Sequence, residues 1–503
     1  MGAMFSMALA PVGCVSSESS QEGQTPNPPN IVIIYADDLG YGDVSAYGVG
    51  QLHTPNMDRI ANEGIRFENG YATSATCTPS RFSLLTGQYP WRNDRAQVLP
   101  GDAPLLIDPN QPTLPKMLKA AGYETAMVGK WHLGLGNGHT NWNQQVQPNA
   151  NDVGFDYTYI MAATNDRVPN VYVENGAVVG LDPKDPLEVN YRKNFEGEPT
   201  GKDNPELLKM MYSHGHDMSI NNGISRIGYQ KGGESAQWID ENMADTFLVR
   251  ARQFVKQKRD KPFFLFYALH QPHVPRVPHP RFAGTTGMGP RGDVIAEADW
   301  SIGAFLKTLE EEGILENTLI IFSSDNGPVL DDGYVDNAAE KVGAHTPGGL
   351  LRGGKYSLYD AGTRVPFMVM WKGKIQPGVS EAIISQVDLF ASLAQLTGQP
   401  LPQNDSEGLF DVLSGKTKQG RESVVMEGLG HRTAFRKGDW VLIPAYKGSK
   451  MVPWGVDTET GFGYDVQLYN IKEDVGQQKD LSKVMPEKVK QLMTAYQAIL
   501  NKK

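Results

Sequence analysis

The stretch Asn30-Ile31-Val32-Ile33-Ile34-Tyr35-Ala36-Asp37-Asp38-Leu39-Gly40 decides the fold. Its unbroken apolar run, Ile31 to Tyr35, reads as a strand buried on both faces, the kind found inside a parallel sheet covered by helices. The run stops abruptly at Asp37 and Asp38, so this strand delivers two carboxylates at its C-terminal end. Open parallel sheets place their ligands at that edge.

The elements that follow repeat the same grammar. Thr54 and Pro55 open a helix whose apolar positions are Met57, Ile60 and Ala61 and which Gly64 ends. Helical patterns at 114–121, 243–257, 296–311 and 386–396 alternate with strand patterns at 125–128, 262–269, 318–322 and about 365–371. The alternation predicts an α/β fold: a mostly parallel central sheet with helices on both faces and right-handed crossovers. Residues 139–244 break the rhythm with many Asn, Gly, Asp and Tyr, and an insert of that length is expected to form functional loops. From 412 the pattern becomes short alternating strands, 433–443 split by Lys437-Gly438-Asp439 and then 466–470, closed by an amphipathic helix at 486–500. The expected organisation is a disordered segment or export-signal remnant at 1–29, a catalytic domain at 30–411 and a small antiparallel α+β subdomain at 412–503.

Composition removes several function classes. Among 503 residues, 47 Lys and Arg stand against 57 Asp and Glu for a net charge of −10, with no long basic run. That excludes a polycationic nucleic-acid face, and no apolar run reaches the roughly 18 residues that cross a bilayer. Two cysteines, Cys14 and Cys77, cannot build a disulfide framework. Cys14 follows the apolar Met4 to Gly13 and precedes a polar run, the layout of an export-signal remnant or a lipoprotein attachment site, although no Lys or Arg precedes it. An exported protein of the periplasm or cell envelope is expected; an unstructured terminus is the alternative.

The chemistry concentrates in a few places. In Cys77-Thr78-Pro79-Ser80-Arg81, Pro79 suits the first turn of a helix, which puts Cys77 where free backbone N–H groups favour an anion. On these five residues alone a buried structural cysteine is an equal reading. Asp37, Asp38, Asp325 and Asn326 all end predicted strands and together offer an all-oxygen shell for a hard divalent cation, Ca²⁺ or Mg²⁺. Lys130 and His132 follow the strand at 125–128. His273, in Gln271-Pro272-His273-Val274-Pro275, follows the strand at 262–269, with His270 as its rival. Lys355 sits after Gly353-Gly354, where the backbone can approach a ligand closely.

Five segments occur in one order: Ala36-Asp37-Asp38-Leu39-Gly40; Cys77 to Arg81 with Leu84-Leu85-Thr86-Gly87; Gly129-Lys130-Trp131-His132-Leu133-Gly134; Ser324-Asp325-Asn326-Gly327; and Leu351-Arg352-Gly353-Gly354-Lys355. Together they resemble the type I sulfatases of the alkaline-phosphatase-like superfamily, over a span from Asn30 to about Asn470. The resemblance implies that a maturation enzyme oxidises Cys77 to formylglycine, whose hydrated aldehyde is the nucleophile. It implies Ca²⁺ in preference to Mg²⁺, held by Asp37, Asp38, Asp325 and Asn326 with residue 77. It assigns charge stabilisation to Arg81, Lys130 and Lys355, protonation of the leaving alcohol to His273 with Lys355, and the proton removal that frees sulfate to His132. Tyr356 stands where the family commonly has glycine, and Arg364 is expected in a structural salt bridge.

The overall look is similar to sulfatases of bacterial glycan degraders, which implies a sulfated carbohydrate of galactose configuration as substrate. Asn165, Asp166, Arg167, His216 and His270 are the expected sugar contacts, with Tyr172 as a stacking partner. Two rivals stand beside this reading: a phosphate or phosphonate monoester hydrolase of the same superfamily, and a catalytically silent glycan-binding relative.

Overall fold

A computed structural model describes residues 1, 2, 4, 28–48, 51–401 and 403–502; the expectation for Cys14 lies outside them. The deciding stretch forms strand β1 (Asn30–Ala36), every residue of which is buried. Its side chains alternate between two cores: Ile31, Ile33 and Tyr35 enter one, Val32, Ile34 and Ala36 the other. A continuous apolar run is what a strand covered on both faces requires.

In chain order the further strands of this sheet are β2 (Ile65–Tyr71), β3 (Glu124–Lys130), β4 (Tyr157–Met161), β5 (Tyr172–Glu174), β6 (Ala177–Val178), β7 (Phe263–Ala268), β8 (Thr318–Ser324), β9 (Phe367–Met370) and β10 (Gly378–Ser385). Their spatial order is β10-β2-β9-β8-β1-β7-β3-β4-β5-β6. The five central strands, β8, β1, β7, β3 and β4, run parallel. Helices α1 (Pro55–Asn62), α4 (Met243–Lys256) and α5 (Gly289–Glu311) cover one face, and α2 (Cys77–Thr86), α3 (Leu114–Ala120) and α6 (Leu389–Thr397) the other.

Three features differ from the sequence reading. Strand β9 runs antiparallel to both neighbours, which turns β2 into the same direction as the central strands. The insert at 139–244 is not all loop, because its strand β4 extends the parallel sheet. Helix α5 begins at Gly289, two turns before the expected start, with Pro290 in its first turn.

A second sheet of four antiparallel strands, β11 (Ser423–Glu427), β12 (Thr433–Lys437), β13 (Trp440–Ile443) and β14 (Gln467–Asn470), packs one face on Tyr71, Leu358 and Tyr359. The other face holds α7 (Pro486–Leu500) through Leu492 and Tyr496. Glu427 at the end of β11 exchanges backbone hydrogen bonds with Thr73 and Ala75, just ahead of α2. The small sheet is therefore stitched to the segment that leads into Cys77. Among the described residues no helix is long and apolar enough to cross a membrane.

Candidate active site

Because β2 runs with the central strands, its C-terminal end feeds Cys77 to the same edge as β1, β3, β4, β7 and β8. Cys77 is the first residue of α2, with Thr76 in extended conformation before it. Its thiol is buried and lies 3.2 Å from His132 Nδ1. His132 Nε2 lies 2.9 Å from the carbonyl oxygen of Leu99, which only accepts, so the ring proton sits on Nε2 and the Nδ1 lone pair faces residue 77. Burial, together with Lys130 and Arg167, holds His132 well below the usual histidine range. It is a neutral base aimed at Cys77. Burial also pushes the Cys77 thiol up from its ordinary value, against the pull of Lys130 and Lys355.

Around the pair stand the charges. Arg81 donates to Asp325 Oδ2 from Nε at 3.0 Å and from Nη2 at 2.7 Å. Lys130 Nζ lies 2.5 Å from Asp37 Oδ2, and Lys355 Nζ donates to Asp38 Oδ2 at 2.8 Å and to Asp332 Oδ2 at 2.7 Å. All seven groups are buried. Four carboxylates thus face three basic side chains in one low-dielectric pocket, and the balance shows in the acidities of Asp37, Asp38 and Lys355. Burial and the neighbouring Asp325 push Asp37 well above the usual carboxylate range in spite of Lys130. For Asp38 burial acts the same way, but Lys355, Lys130 and a hydrogen bond from Asn326 outweigh it and hold the carboxyl low. Desolvation alone would lower Lys355, yet Asp332 and Asp38 raise it well above its usual value, so it keeps its proton.

This donor set fits a hard divalent cation. Asn326 Nδ2 donates to Asp38 Oδ1 at 2.7 Å, and among the described residues neither Asn326 Oδ1 nor Asp37 Oδ1, both buried, has a hydrogen-bond partner. Two orphaned hard oxygens beside an excess of negative charge are costly unless a cation takes them. Asp37, Asp38 and His273 can bring one ligand atom each within 4.8 Å of one another. The backbone is held in unusual conformations here, with Asp38 at φ 62° and His132 at φ 53°. Such strain persists where the surroundings over-determine it.

The cleft above Cys77 encloses about 360 Å³. Asp166 and Arg167, beyond the end of β4, and His216 line it, with Arg167 Nη1 2.8 Å from Asp166 Oδ1 and His216 Nε2 2.9 Å from Asp166 Oδ2. Burial opposes the charge on Asp166, but Arg167 and the His216 hydrogen bond hold it well below the usual range. Gly333 makes the fit possible: a Cβ there would stand 2.0 Å from His216 Nδ1.

Three expected sugar contacts do not reach the cleft. Asn165 is buried behind the wall, where Nδ2 donates to the backbone carbonyls of Pro275 at 3.1 Å and His273 at 3.4 Å; it fastens the His273 loop. His270 is turned onto Phe247, 6.0 Å between ring centroids; burial and Lys130 push it down to about 3. Tyr172 packs among Tyr159, Trp238 and Phe247 in the core. His273 does reach the site: Nδ1 lies 2.7 Å from the Val274 carbonyl oxygen, so Nε2 faces inward, 3.9 Å from Asp38 Oδ2. Burial, Lys355 and Lys130 keep it neutral. Arg364 pairs with Asp360 at 3.1 Å, the expected structural salt bridge.

The sequence reading passed over Asp332, which bonds Lys355, and over Glu427, Leu429, His431 and Trp454, which the small sheet and its loops bring to the cleft. Only the exposed aromatic in Pro453-Trp454-Gly455 carried a signal of its own.

The family model described as Sulfatase matches residues 29–399. This chain belongs to the sulfatase family. The sulfatase is 48% identical over 491 residues, 97% of this chain and 96% of the relative, to the N-acetylgalactosamine-6-O-sulfatase of Bacteroides thetaiotaomicron. It is 34% identical to human arylsulfatase A, across 79% of this chain and 70% of that protein. A solved structure from work on glycosaminoglycan metabolism by Bacteroides thetaiotaomicron superposes with a TM-score of 0.93 at 48% identity, covering 95% of this chain and 100% of the other. The sulfatase is a sulfuric ester hydrolase with the family's mostly parallel sheet and small C-terminal antiparallel sheet.

Proposed function

We propose that this sulfatase removes the 6-O-sulfate from N-acetylgalactosamine units of a sulfated glycan, using a formylglycine made from Cys77 and a bound Ca²⁺. One observation carries the chemistry: Cys77 lies at a helix N-terminus, 3.2 Å from a neutral histidine, within a ring of Arg81, Lys130 and Lys355. The near-complete match to a relative of the stated specificity supports the sugar.

Asp37, Asp38, Asp325 and Asn326 would hold the cation, which supplies Lewis-acid polarisation of sulfate oxygens and of the nucleophilic hydroxyl of residue 77. The remaining work falls to the chain's own side chains. Lys355, which lines the cleft, orients the sulfate in line with residue 77, and the buried charges of Arg81 and Lys130 behind it help offset the charge that spreads over its oxygens as the S–O bond lengthens. The leaving oxygen takes its proton from the His273–Lys355 pair, in which Lys355 holds the proton before substrate binds. His132 Nδ1 takes the proton whose loss frees sulfate, since its lone pair already faces residue 77. Asp166, Arg167 and His216 fix the sugar. Residues 30–411 form the catalytic domain in this reading and 412–503 a subdomain that closes the cleft. A maturation enzyme modifies Cys77 during biosynthesis, and a glycan substrate places the protein outside the cytoplasm.

The test is a panel of 6-O-sulfated N-acetylgalactosamine, other sulfated sugars, an aryl sulfate and an aryl phosphate, with and without chelator. The proposal expects chelator-sensitive sulfate release from the 6-sulfated sugar. Phosphate release without sulfate release would refute it.

A further inference from the structure

The wall of the cleft beyond Lys355 is aromatic, and it is built at a cost. Tyr356 stands at φ 76°, the left-handed region that favours glycine. Its neighbours leave it little choice of conformation: its N–H donates to Ala75 O at 2.8 Å, its carbonyl accepts from Leu429 N at 3.1 Å, and its hydroxyl donates to Asp332 Oδ1 at 3.1 Å. Its ring packs on the cluster of Val329, Val452 and Val456. A strained backbone that glycine would relieve is a reason to look for what the side chain does.

The ring meets Trp454 edge to face, with centroids 5.2 Å apart and planes at 88°. Both residues line the cleft, and Trp454 remains 39% exposed even though such a ring gains most from burial. Two flat rings at a right angle form an inside corner. A sugar ring stacks on a broad single face, whereas a corner of this kind accepts a small apolar group. The polar half of the cleft, Asp166, Arg167 and His216, already supplies the partners that hydroxyls need.

Resting on the proposed desulfation of an N-acetylated sugar, we infer that Tyr356 and Trp454 form a specificity-determining corner that receives the methyl of the substrate's 2-acetamido group. The small C-terminal unit would thereby select the sugar through the loop that carries Trp454, while the large sheet carries out the chemistry.

The experiment compares kcat/KM for 6-sulfated N-acetylgalactosamine and 6-sulfated galactose, which differ at the 2-position, in the wild type, Trp454→Ala and Tyr356→Gly. Tyr356→Gly suits the positive φ, so it folds without the strain of the parent. One methyl in an apolar site is worth about tenfold or more in discrimination. The expected result is a wild-type preference for the acetamido sugar that falls by about tenfold in both variants, mainly through KM. Calorimetric binding of the two sugars to Cys77→Ser protein, with and without Trp454→Ala, should show the same loss without any need for maturation. A wild type active on both sugars whose ratio is unmoved by the substitutions, or variants that weaken both sugars equally, would overturn the corner alone. A wild type that leaves both sugars intact would overturn the sugar reading and the corner together.

Discussion

Replacing Arg81 with methionine strips Asp325 of its counter-ion, and the structure sets the size of the effect. Arg81 is fully buried, gives Asp325 two charge-assisted hydrogen bonds at 2.7 and 3.0 Å, gives Lys130 O a third at 3.0 Å, and lies 5.3 Å from the Tyr35 ring centroid. Removing one partner of a buried pair costs about 3–5 kcal/mol, because the survivor remains charged and unpaired. Lys130 Nζ, 4.0 Å from the same carboxylate oxygen, recovers part of that. The expected loss with calcium chelated is therefore at the lower end, about 3 kcal/mol. A cation at Asp37 and Asp325 supplies replacement charge, so the variant should gain more from calcium than the wild type; each tenfold difference in affinity returns about 1.4 kcal/mol. Urea unfolding followed by the fluorescence of the eight tryptophans, in chelator and in excess calcium, measures both quantities. A loss below about 1 kcal/mol, or a loss that calcium leaves unchanged, would refute the reading of this cluster as a cation-binding pocket.

Three further predictions test separate parts. Cys77→Ser should melt like the parent and release no sulfate from any ester; turnover at the wild-type rate would eliminate the role given to residue 77. Gly333→Ala puts a Cβ into the His216 ring and should raise KM for the sugar by about tenfold with a smaller change in kcat, so an unaltered KM would remove His216 from the substrate contacts. Glu297, on α5, is pushed up to about 7 by burial, against hydrogen bonds from His279 N and Gln271. Its folded form keeps a proton that the unfolded chain gives up near pH 4.5, so its contribution to stability is present below that pH and is lost as the pH rises to about 7. Glu297→Gln should accordingly gain about 1–3 kcal/mol over the wild type at pH 8 and almost nothing at pH 4.5; a gain independent of pH would contradict the burial argument.

The central sheet and its chemical edge were legible because burial on both faces forces continuous apolar runs, and because each run ends in the residues that carry charge. Strand direction was not legible: nothing in Phe367–Met370 says that it runs against its neighbours, since hydrogen-bonding sense is set by where the chain returns. Strand β2 escaped because Asn69-Gly70 reads as a turn, yet Gly70 is needed where a Cβ would stand 2.3 Å from the Phe367 side chain. Strand β4 was hidden inside a polar insert. At the site the structure brings Asp37, Asp38, Cys77, Arg81, Lys130, His132, His273, Asp325, Asn326 and Lys355 close together; the strand-end positions of the acidic residues made that edge readable, and the choice of His273 came from the family resemblance. Asn165 and His270 did not follow, because both lie past the ends of their strands, Asn165 within the turn that Arg167 N closes on Thr164 O, where side-chain direction is set by local backbone turns and not by strand alternation. Asp332 was invisible because its use depends on Lys355, 23 positions away in sequence and 2.7 Å away in space.

The most direct test of the account is to prepare the protein at several degrees of Cys77 conversion, weigh the peptide that contains residue 77, and measure sulfate release from 6-sulfated N-acetylgalactosamine in calcium. The account predicts a rate proportional to the formylglycine fraction that extrapolates to zero when every residue 77 is a thiol. Full turnover by unconverted protein, or none by fully converted protein, would contradict it.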